Sequence, residues 1–492
     1  MSGWAAGFEA VLDPQALFLI LAGVLVGILV GALPGLSATM AVAVLLPFTF
    51  ALEPVDGMML LLGIYGGALY AGSIPAILIR APGTPSAAAT VLDGHPMSQR
   101  GRAGEALSIS VVASAVGGMV GVVFLALFAP RVAEFALRFG PAEYFMLSIF
   151  ALTIIASLSE SAMVKGLISG TLGLLIAMIG LDPIQAFPRF AFGSVELSAG
   201  IQFIPILIGL FGVAEALRQF ERLRGGVEER PALGSFRLGF DRLKRLAPTT
   251  AGSSVLGFLV GVLPGTGGDI GSFVAYNETK RFARGEKNFG RGDPRGVAAA
   301  ESANNASTAG ALTPTLTLGI PGDSVSAILI GAITVHGLRP GPQLFTGSPE
   351  LVYGIFIGFF LVYTCLLVVG LLGIRLWVQL MRVPTRFLWP TVLVLSVVGS
   401  YALRSNPFDV LVMLLAAVLG YFMMKGGYPL APLVIGVILG PIAESGFRRA
   451  MIISGGSFEW LLTPIPLTLL ILTLASIALA ALRARSGSAS SA

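Results

Sequence analysis

Long apolar runs rich in Leu, Val, Ile, Gly and Ala follow one another along the chain, separated by short segments that carry most of the charged residues. A run of about 20 apolar residues can cross a bilayer as an α-helix. After a first apolar hairpin, the runs place five spans at about 57–80, 106–129, 144–160, 163–181 and 200–217. Five more follow at about 298–335, 350–374, 387–403, 408–424 and 428–445, with an extra helix at 461–482. The pattern predicts an all-α polytopic membrane protein.

Composition and charge agree with that prediction. Of 492 residues, 55% are hydrophobic and 12% are charged, against ~25% charged residues in soluble domains. A soluble globular protein is therefore excluded. The positive charge lies mainly in two inter-helix segments, 218–248 and 280–295, which the positive-inside rule places in the cytoplasm. The net charge of +5 thus reports topology and does not indicate nucleic-acid binding.

The segment between the two basic stretches, 249–279, must leave the cytoplasm and return to it. Its Gly-rich middle contains Pro264, which suits the tip of a helical hairpin. With only ~15 residues per arm, at ~1.5 Å per residue, neither arm crosses a ~30 Å core comfortably. We therefore expect a re-entrant hairpin. A hairpin whose arms both cross fully keeps the same topology and is the alternative.

The middle of this hairpin contains the motif Gly-Val-Leu-Pro-Gly at 261–265. A similar motif, Gly-Ala-Leu-Pro-Gly, occurs 230 positions upstream, at 31–35, between apolar arms that run from about 14 to 52. Its flanks are acidic, so this first hairpin should open outward. Pro75 and Pro82 recur as Pro314 and Pro321, both displaced by 239, and 204–209 resembles 431–436. Ordered matches of this kind indicate an internal repeat. Because five crossings separate the copies, the second copy should be inverted.

The predicted architecture is therefore two inverted-topology repeats, each a re-entrant helical hairpin plus about five spans with broken helices, and an extra C-terminal helix. The first repeat covers 1–217, a basic cytoplasmic linker 218–248, the second repeat 249–445, and the C-terminal helix and cytoplasmic tail 446–492. The same count places the N-terminus in the periplasm and the C-terminus in the cytoplasm.

Inverted repeats with broken helices are typical of secondary transporters, whose sites form where helix ends meet. Backbone N–H groups at a break can bind an anion, and freed carbonyls or small polar side chains can hold Na⁺. The alternative for the polar side chains is hydrogen bonding between helices. The candidate substrate-binding residues are Pro34, Gly35, Ser37, Pro82, Gly83, Thr84, Ser86, Gly265, Thr266, Gly267, Asn304, Asn305, Ser307, Thr308, Pro321, Gly322 and Ser324.

Two acidic residues stand at the breaks of the second repeat, Asp269 and Asp323. A carboxylate inside a membrane is costly, which makes both candidates for cation coupling; either could instead cap the helix that follows it. His95 and His336 lack a nearby third ligand, so we expect no metal centre beyond a possible Na⁺ site. The single Cys365 allows no disulfide framework.

These motifs resemble the large membrane subunit of the tripartite tricarboxylate transporters over nearly the whole chain. The resemblance rests on the segments 31–35 and 261–265, on 81–85, on 304–307 and on 319–323. It implies a multi-pass protein of the bacterial inner membrane that works with a small four-helix membrane subunit and a periplasmic solute-binding protein. It also implies transport driven by an ion gradient, with no other cofactor, and the sequence contains no Gly-x-x-x-x-Gly-Lys-Ser/Thr loop for a nucleotide.

The sequence and the resemblance together predict secondary active uptake of a small organic di- or tricarboxylate, coupled to Na⁺ or H⁺, with elevator-type alternating access and no enzymatic activity. Two alternatives stay open at this stage. An intramembrane enzyme acting on a lipid-linked substrate would need convergent acid–base groups or a metal. A passive anion channel could also be lined by broken helices.

Overall fold

A computed structural model describes residues 3–33, 35–158, 163–182, 184–222, 236, 238–283, 288–380 and 388–489. These residues are almost all helical, and the described strands are one short antiparallel pair, β1 (Gly180–Leu181) and β2 (Pro188–Arg189). The predicted all-α polytopic fold is confirmed. Pro34 and much of the basic linker lie outside the described residues.

The helices of the first half follow the predicted order. They are α1 (Gly3–Val11), α2 (Pro14–Gly31), α3 (Ala38–Leu45), α4 (Pro54–Ala71), α5 (Ser73–Ile79), α6 (Ala88–Met97), α7 (Ala103–Ala136), α8 (Pro141–Leu158), α9 (Met163–Ala177), α10 (Val195–Ser198), α11 (Phe203–Leu207) and α12 (Ala214–Arg222). Short 3-10 turns at Leu46–Thr49 and Pro85–Ala87, and π-helical turns at Ser98–Arg102 and Ile208–Val213, lie between them.

The second half repeats this organisation. Its helices are α13 (Phe240–Gly261), α14 (Gly267–Phe282), α15 (Pro294–Leu318), α16 (Ser324–Val335), α17 (Leu344–Gly347), α18 (Pro349–Leu380), α19 (Leu388–Ala402), α20 (Pro407–Lys425), α21 (Leu430–Ile453) and α22 (Pro464–Ala489), with a 3-10 turn at Glu459–Leu462.

Six helical segments in the described part of the chain are long and apolar enough to span a membrane. They are Pro14–Gly31, Pro54–Ile79, Pro85–Ala136, Pro349–Gln379, Pro407–Lys425 and Leu430–Ile453. One expectation about length was wrong. The first arm of the second hairpin, α13, has 22 residues and begins at Phe240, because the helix continues through Pro248 into the basic segment. At ~1.5 Å per residue it is about 33 Å long, so arm length no longer argues for a re-entrant hairpin, which stays a prediction.

The chain divides into two compact units, each drawn from both halves of the sequence. The first unit contains Met1–Ala133 and Glu215–Leu403, and the second contains Glu134–Ala214 and Arg404–Ala492. Both hairpins and both broken spans, α4–α5 and α15–α16, belong to the first unit. Whether the two halves of the sequence are inverted repeats in the membrane is a separate question, and that assignment stays a prediction.

Two helices form the centre of the first unit, α4 and α15, and each is packed against one hairpin arm through glycine. Gly31 of α2 lies so close to Ala68 that an added Cβ would overlap its backbone, and Gly261 of α13 meets Ser307 of α15 in the same way. The partners are again displaced by 230 and 239 positions, so the predicted repeat also appears in the packing. Close backbone contact of this kind requires small residues.

In the second unit α8 and α9 pack against α21, and α22 packs against α8. Gly173 of α9 and Gly436 of α21 allow the two helix backbones to touch. Near the end of α21, Glu444 accepts hydrogen bonds from Arg189 at 2.5 and 3.0 Å, and Arg448 pairs with Asp182 at 2.6 Å. These ion pairs hold the short β1–β2 hairpin against α21.

Candidate functional site

The two hairpin tips have the same backbone geometry. The first arms end at Gly31 and Gly261, and four residues later Gly35 and Gly265 adopt φ angles of +91° and +82°. A side chain at such a φ is strained, which explains why both tips carry glycine there. Each Leu-Pro-Gly motif therefore forms a turn that ends one helix and directs the chain toward the next.

The two broken spans also repeat each other. Arg80 follows α5 and Gly319 follows α15, both in the left-handed conformation, with φ of 57° and 69°. Each cap N–H donates to the carbonyl of a proline five residues earlier, Pro75 or Pro314. The prolines that the sequence comparison matched thus have the same structural task, since their carbonyl oxygens terminate the helix.

In the second half, the hairpin tip is hydrogen-bonded to the break of α15–α16. Gly265 N donates to Gly322 O at 2.7 Å. Just beyond the tip, Gly268 lies directly over the side chains of Asn304 and Ser307, where an added Cβ would overlap the Asn304 amide oxygen. The structure therefore brings together three of the predicted segments, the tip, the asparagine run and the Pro321–Gly322 break.

Asn304 is fully buried in α15, and neither its Oδ1 nor its Nδ2 has a partner among the described residues. The neighbouring Asn305 is also fully buried; its Nδ2 donates to Glu301 O at 3.1 Å, while its Oδ1 lacks a partner there. Leaving a buried polar atom unpaired costs about 1–3 kcal/mol. An unpaired donor and acceptor under a hairpin tip is an arrangement that a bound polar ligand would satisfy.

The predicted hydroxyl groups are different, because their hydrogens are already used. Ser307 donates to Asn304 O at 2.6 Å, and Thr308 donates to Asn305 O at 2.7 Å and lies 2.8 Å from the Tyr363 hydroxyl. Such hydroxyls can still accept a hydrogen bond or coordinate a cation through a lone pair, but they cannot donate to an anion without losing an existing bond.

Asp323 forms the helix cap that the sequence left open as an alternative. Its carboxylate accepts from Ser326 N at 2.7 Å, its own N–H donates to Ser326 Oγ at 2.8 Å, and the Tyr65 hydroxyl donates to it from α4. Asp269 lies in the first turn of α14 and is exposed. The cap does not exclude a coupling role, so that role stays a prediction for both residues.

The first-half break is built on three glycines. Gly83 N donates to Gly72 O at 3.0 Å, and an added Cβ on Gly83 would come within 2.5 Å of Gly31 O. Thr84 and Ser86 are buried next to these glycines, and their hydroxyl oxygens are 3.1 Å apart. Pro82, Gly83, Thr84 and Ser86 thus form a second group of predicted residues, with Pro82 exposed.

The remaining candidates occupy separate positions. Ser37 caps α3 by accepting from Met40 N at 3.1 Å, and Gly35 faces Gln219. Thr266 donates to Leu263 O at 2.8 Å, which holds the second tip in place. Gly267 lies beside Asp323, Ser324 begins α16, and Pro321 is buried. Pro34 lies outside the described residues.

Several contacts join the two halves of the first unit, and two of them involve the helix breaks. The Tyr65–Asp323 hydrogen bond connects α4 to the second-half break, and α14 contacts the Pro85–Ala87 turn after the first-half break. Tyr65 was not among the predicted site residues. It is displaced by 239 positions from Asn304, so applying the repeat offset to the asparagine would have found it.

Comparisons with known proteins agree with the motifs. The family model of the tripartite tricarboxylate transporter TctA family matches residues 17–435. An uncharacterized 52.8 kDa protein in the TAR-I ttuC′ 3′ region of Agrobacterium vitis is 39% identical over 483 residues, which are 98% of this chain and 96% of that protein.

A second protein of Agrobacterium vitis, described as an uncharacterized protein in the TAR-II ttuC′ 3′ region, is 40% identical over 227 residues, which are 46% of this chain and 94% of that protein. No solved structure matches the chain significantly. The repeated Leu-Pro-Gly tips, the two broken spans and the match over 17–435 together show that this chain belongs to the tripartite tricarboxylate transporter TctA family.

Proposed function

We propose that this chain is the carrier subunit for secondary active uptake of a small organic di- or tricarboxylate. The observation that carries the proposal is the fully buried Asn304 directly under the Gly265–Gly268 tip, whose amide donor and acceptor both lack a partner among the described residues. A substrate carboxylate would accept from Asn304 Nδ2, and the tip would cover it. The Asn304 oxygen would face a substrate hydroxyl or a coupling cation.

The charges near the tip support coupling to a cation. Helices α14 and α16 begin there, and their N-termini favour an anion. Asp269 and Asp323 lie at those same N-termini, however, and a carboxylate substrate would be repelled by both. Binding a cation, Na⁺ or H⁺, together with the substrate reduces that repulsion, because it adds a positive charge beside the carboxylates. The coupling ion would then bind with the substrate and be released with it.

The partners and the transport motion that we propose are those implied by the resemblance to the family. We propose delivery by a periplasmic solute-binding protein, assembly with a small four-helix membrane subunit, and a location in the bacterial inner membrane with a periplasmic N-terminus. Both hairpin tips and both broken spans belong to the first unit. This supports an elevator-type cycle in which the first unit carries the substrate. Fold-level analogy suggests the motion.

The test is uptake of labelled di- and tricarboxylates into proteoliposomes that contain the chain, its small membrane subunit and the binding protein. Imposed Na⁺ and proton gradients are applied separately, and an ionophore that collapses each gradient is the control. We expect accumulation above equilibrium that disappears with one gradient. Equilibration that ignores both gradients would identify a channel instead, and no movement of any carboxylate by an intact complex would reject the proposal.

A further inference from the structure

A buried carboxylate lies one helical turn before the asparagines of the candidate site. Glu301 of α15 is fully buried, and its two carboxylate oxygens accept hydrogen bonds from Thr90 of α6 and from Ser114 Oγ of α7 at 2.9 Å. A second serine of α7, Ser110, also bonds to this carboxylate, and its hydroxyl lies 2.6 Å from that of Ser73. Three hydroxyl groups from two helices, α6 and α7, thus surround one carboxylate.

In the part of the chain that the structure describes, no cationic side chain pairs with Glu301. Among the described residues its carboxylate contacts are hydroxyls, and no ion pair to it occurs there. The titratable group that faces it from α4 is Tyr70. On α6 the carboxylate of Asp93 already accepts from the Tyr276 hydroxyl at 2.9 Å and from Gly292 N at 2.7 Å. An unpaired buried carboxylate is strongly disfavoured relative to its neutral form.

The packing around Glu301 excludes water and connects it to the candidate site. Gly117 and Gly121 of α7 lie against the backbone of Ser302 and Ala306, so the two helices touch on the side where the carboxylate lies. The backbone carbonyl of Glu301 accepts from Asn305 Nδ2 at 3.1 Å. A change in charge at Glu301 therefore occurs within one turn of the residues proposed to bind the substrate.

We propose that Glu301 is a proton-binding site of the transport cycle, at which the carboxylate takes up one proton to become a carboxylic acid and later returns it. The inference rests on the proposed function and extends it, since it names the coupling ion and a residue that carries it. Protonation removes a buried negative charge beside the place where a carboxylate substrate would bind. Proton and substrate would consequently bind together, which is the requirement for symport.

The contacts of Glu301 suit the uptake of a proton. Its carboxylate contacts are the hydroxyl groups of Thr90, Ser110 and Ser114. A hydroxyl can donate to a carboxylate and, after rotating, can accept from a carboxylic acid, so these partners can bond to both the charged and the neutral form.

Transport of the reconstituted complex gives the first test. With an inward proton gradient, wild type should accumulate carboxylate, while Glu301→Gln should reach only the external concentration and still exchange labelled for unlabelled substrate. The matched control is Ser254→Ala, a buried serine of α13 that bonds to Thr250 O in its own helix and should behave as wild type. Proton-driven accumulation by Glu301→Gln equal to wild type would overturn the proposal.

Infrared difference spectroscopy of the purified complex gives a second readout that does not need transport. Between acidic and alkaline buffer, wild type should show the C=O stretch of a buried carboxylic acid that Glu301→Gln lacks. Removing the hydroxyl donors in Thr90→Val with Ser114→Ala should move its titration to higher pH, because both donors stabilise the carboxylate. This double variant keeps the test decisive if Glu301→Gln does not fold.

The two proposals can fail separately. A titrating Glu301 band in a complex that moves no carboxylate would reject the proposed uptake and support the proton site. Carboxylate accumulation that follows only a Na⁺ gradient, or a Glu301 band that responds to Na⁺ and not to pH, would keep the proposed uptake and overturn the proton site.

Discussion

Replacing Asn304 by leucine separates function from stability at the candidate site. Leucine has the same branching as asparagine but neither donor nor acceptor, and the position is fully buried with both amide atoms unpaired among the described residues. Since an unpaired buried polar atom costs about 1–3 kcal/mol, the substitution should leave the free energy of unfolding unchanged or raise it by about that amount. A structurally bonded amide would give a loss.

Uptake should change in the opposite direction. A hydrogen bond to a charged group contributes about 1.5–3 kcal/mol, and every 1.4 kcal/mol is tenfold, so loss of the Asn304 N–H should lower uptake efficiency by about 10- to 150-fold. The assays are initial uptake rates over a range of substrate concentrations and thermal melting of the purified complex. Thr313→Val on the same helix, whose hydroxyl bonds within α15, is the matched control and should retain uptake.

Two results would refute this reasoning. Uptake by Asn304→Leu within a factor of two of wild type would remove the amide from the substrate site. A drop in melting temperature together with reduced uptake, absent in Thr313→Val, would show that the amide is part of the packing and has a partner in the folded protein.

Three further predictions concern packing, the link between the halves and pH. Gly257→Ala should destabilise the protein by about 1–3 kcal/mol through overpacking, because the added Cβ would overlap the backbone of α15. Gly252→Ala on the same helix is the control, since its Cβ would meet nothing within 4 Å. The measurement is the melting temperature of each variant, and equal values for the two would contradict the prediction. Tyr65→Phe and Asp323→Asn should each lower the free energy of unfolding by about 1–3 kcal/mol. The double variant should lose less than the sum of the two, because both residues share one hydrogen bond. Additive losses would contradict that bond. In the loop outside the spans, two backbone N–H hydrogen bonds hold the pKa of Asp182 below its usual range. The ionised carboxylate should therefore stabilise the folded protein at neutral pH, and this contribution should be lost as pH falls below about 4. Asp182→Asn should flatten the acid dependence of the melting temperature, and an unchanged profile would contradict the prediction.

Much of the fold could be read from local patterns. The apolar runs predicted the spans, and the two Leu-Pro-Gly phrases predicted the hairpin tips at which α2 and α13 end. These predictions succeeded because helix termination by Gly and Pro is a property of a few adjacent residues. The start of α13 was misjudged, because Pro248 and the basic residues before it were taken as linker although the helix continues through them.

The roles of the site residues were less predictable. The polar run 304–308 was identified as a candidate site from its composition. The structure separates Asn304 and Asn305, which have amide atoms without a partner in the described ranges, from Ser307 and Thr308, whose hydroxyls bond to their own helix. Tyr65 was missed because nothing in its glycine-rich surroundings marks it as a partner of a residue 258 positions away.

The sequence by itself determined that this is an all-α membrane protein of the TctA family, with two glycine-proline hairpin tips and two broken spans at fixed offsets. Those properties depend on hydropathy, turn chemistry and motif spacing, which act over a few residues. Only the tertiary structure decided which polar groups are satisfied. Within the described part of the chain, the Asn304 amide has no partner under a tip, and Glu301 is enclosed by hydroxyls 211 and 187 positions away. Hydrogen-bond saturation in a membrane interior depends on which helices pack together.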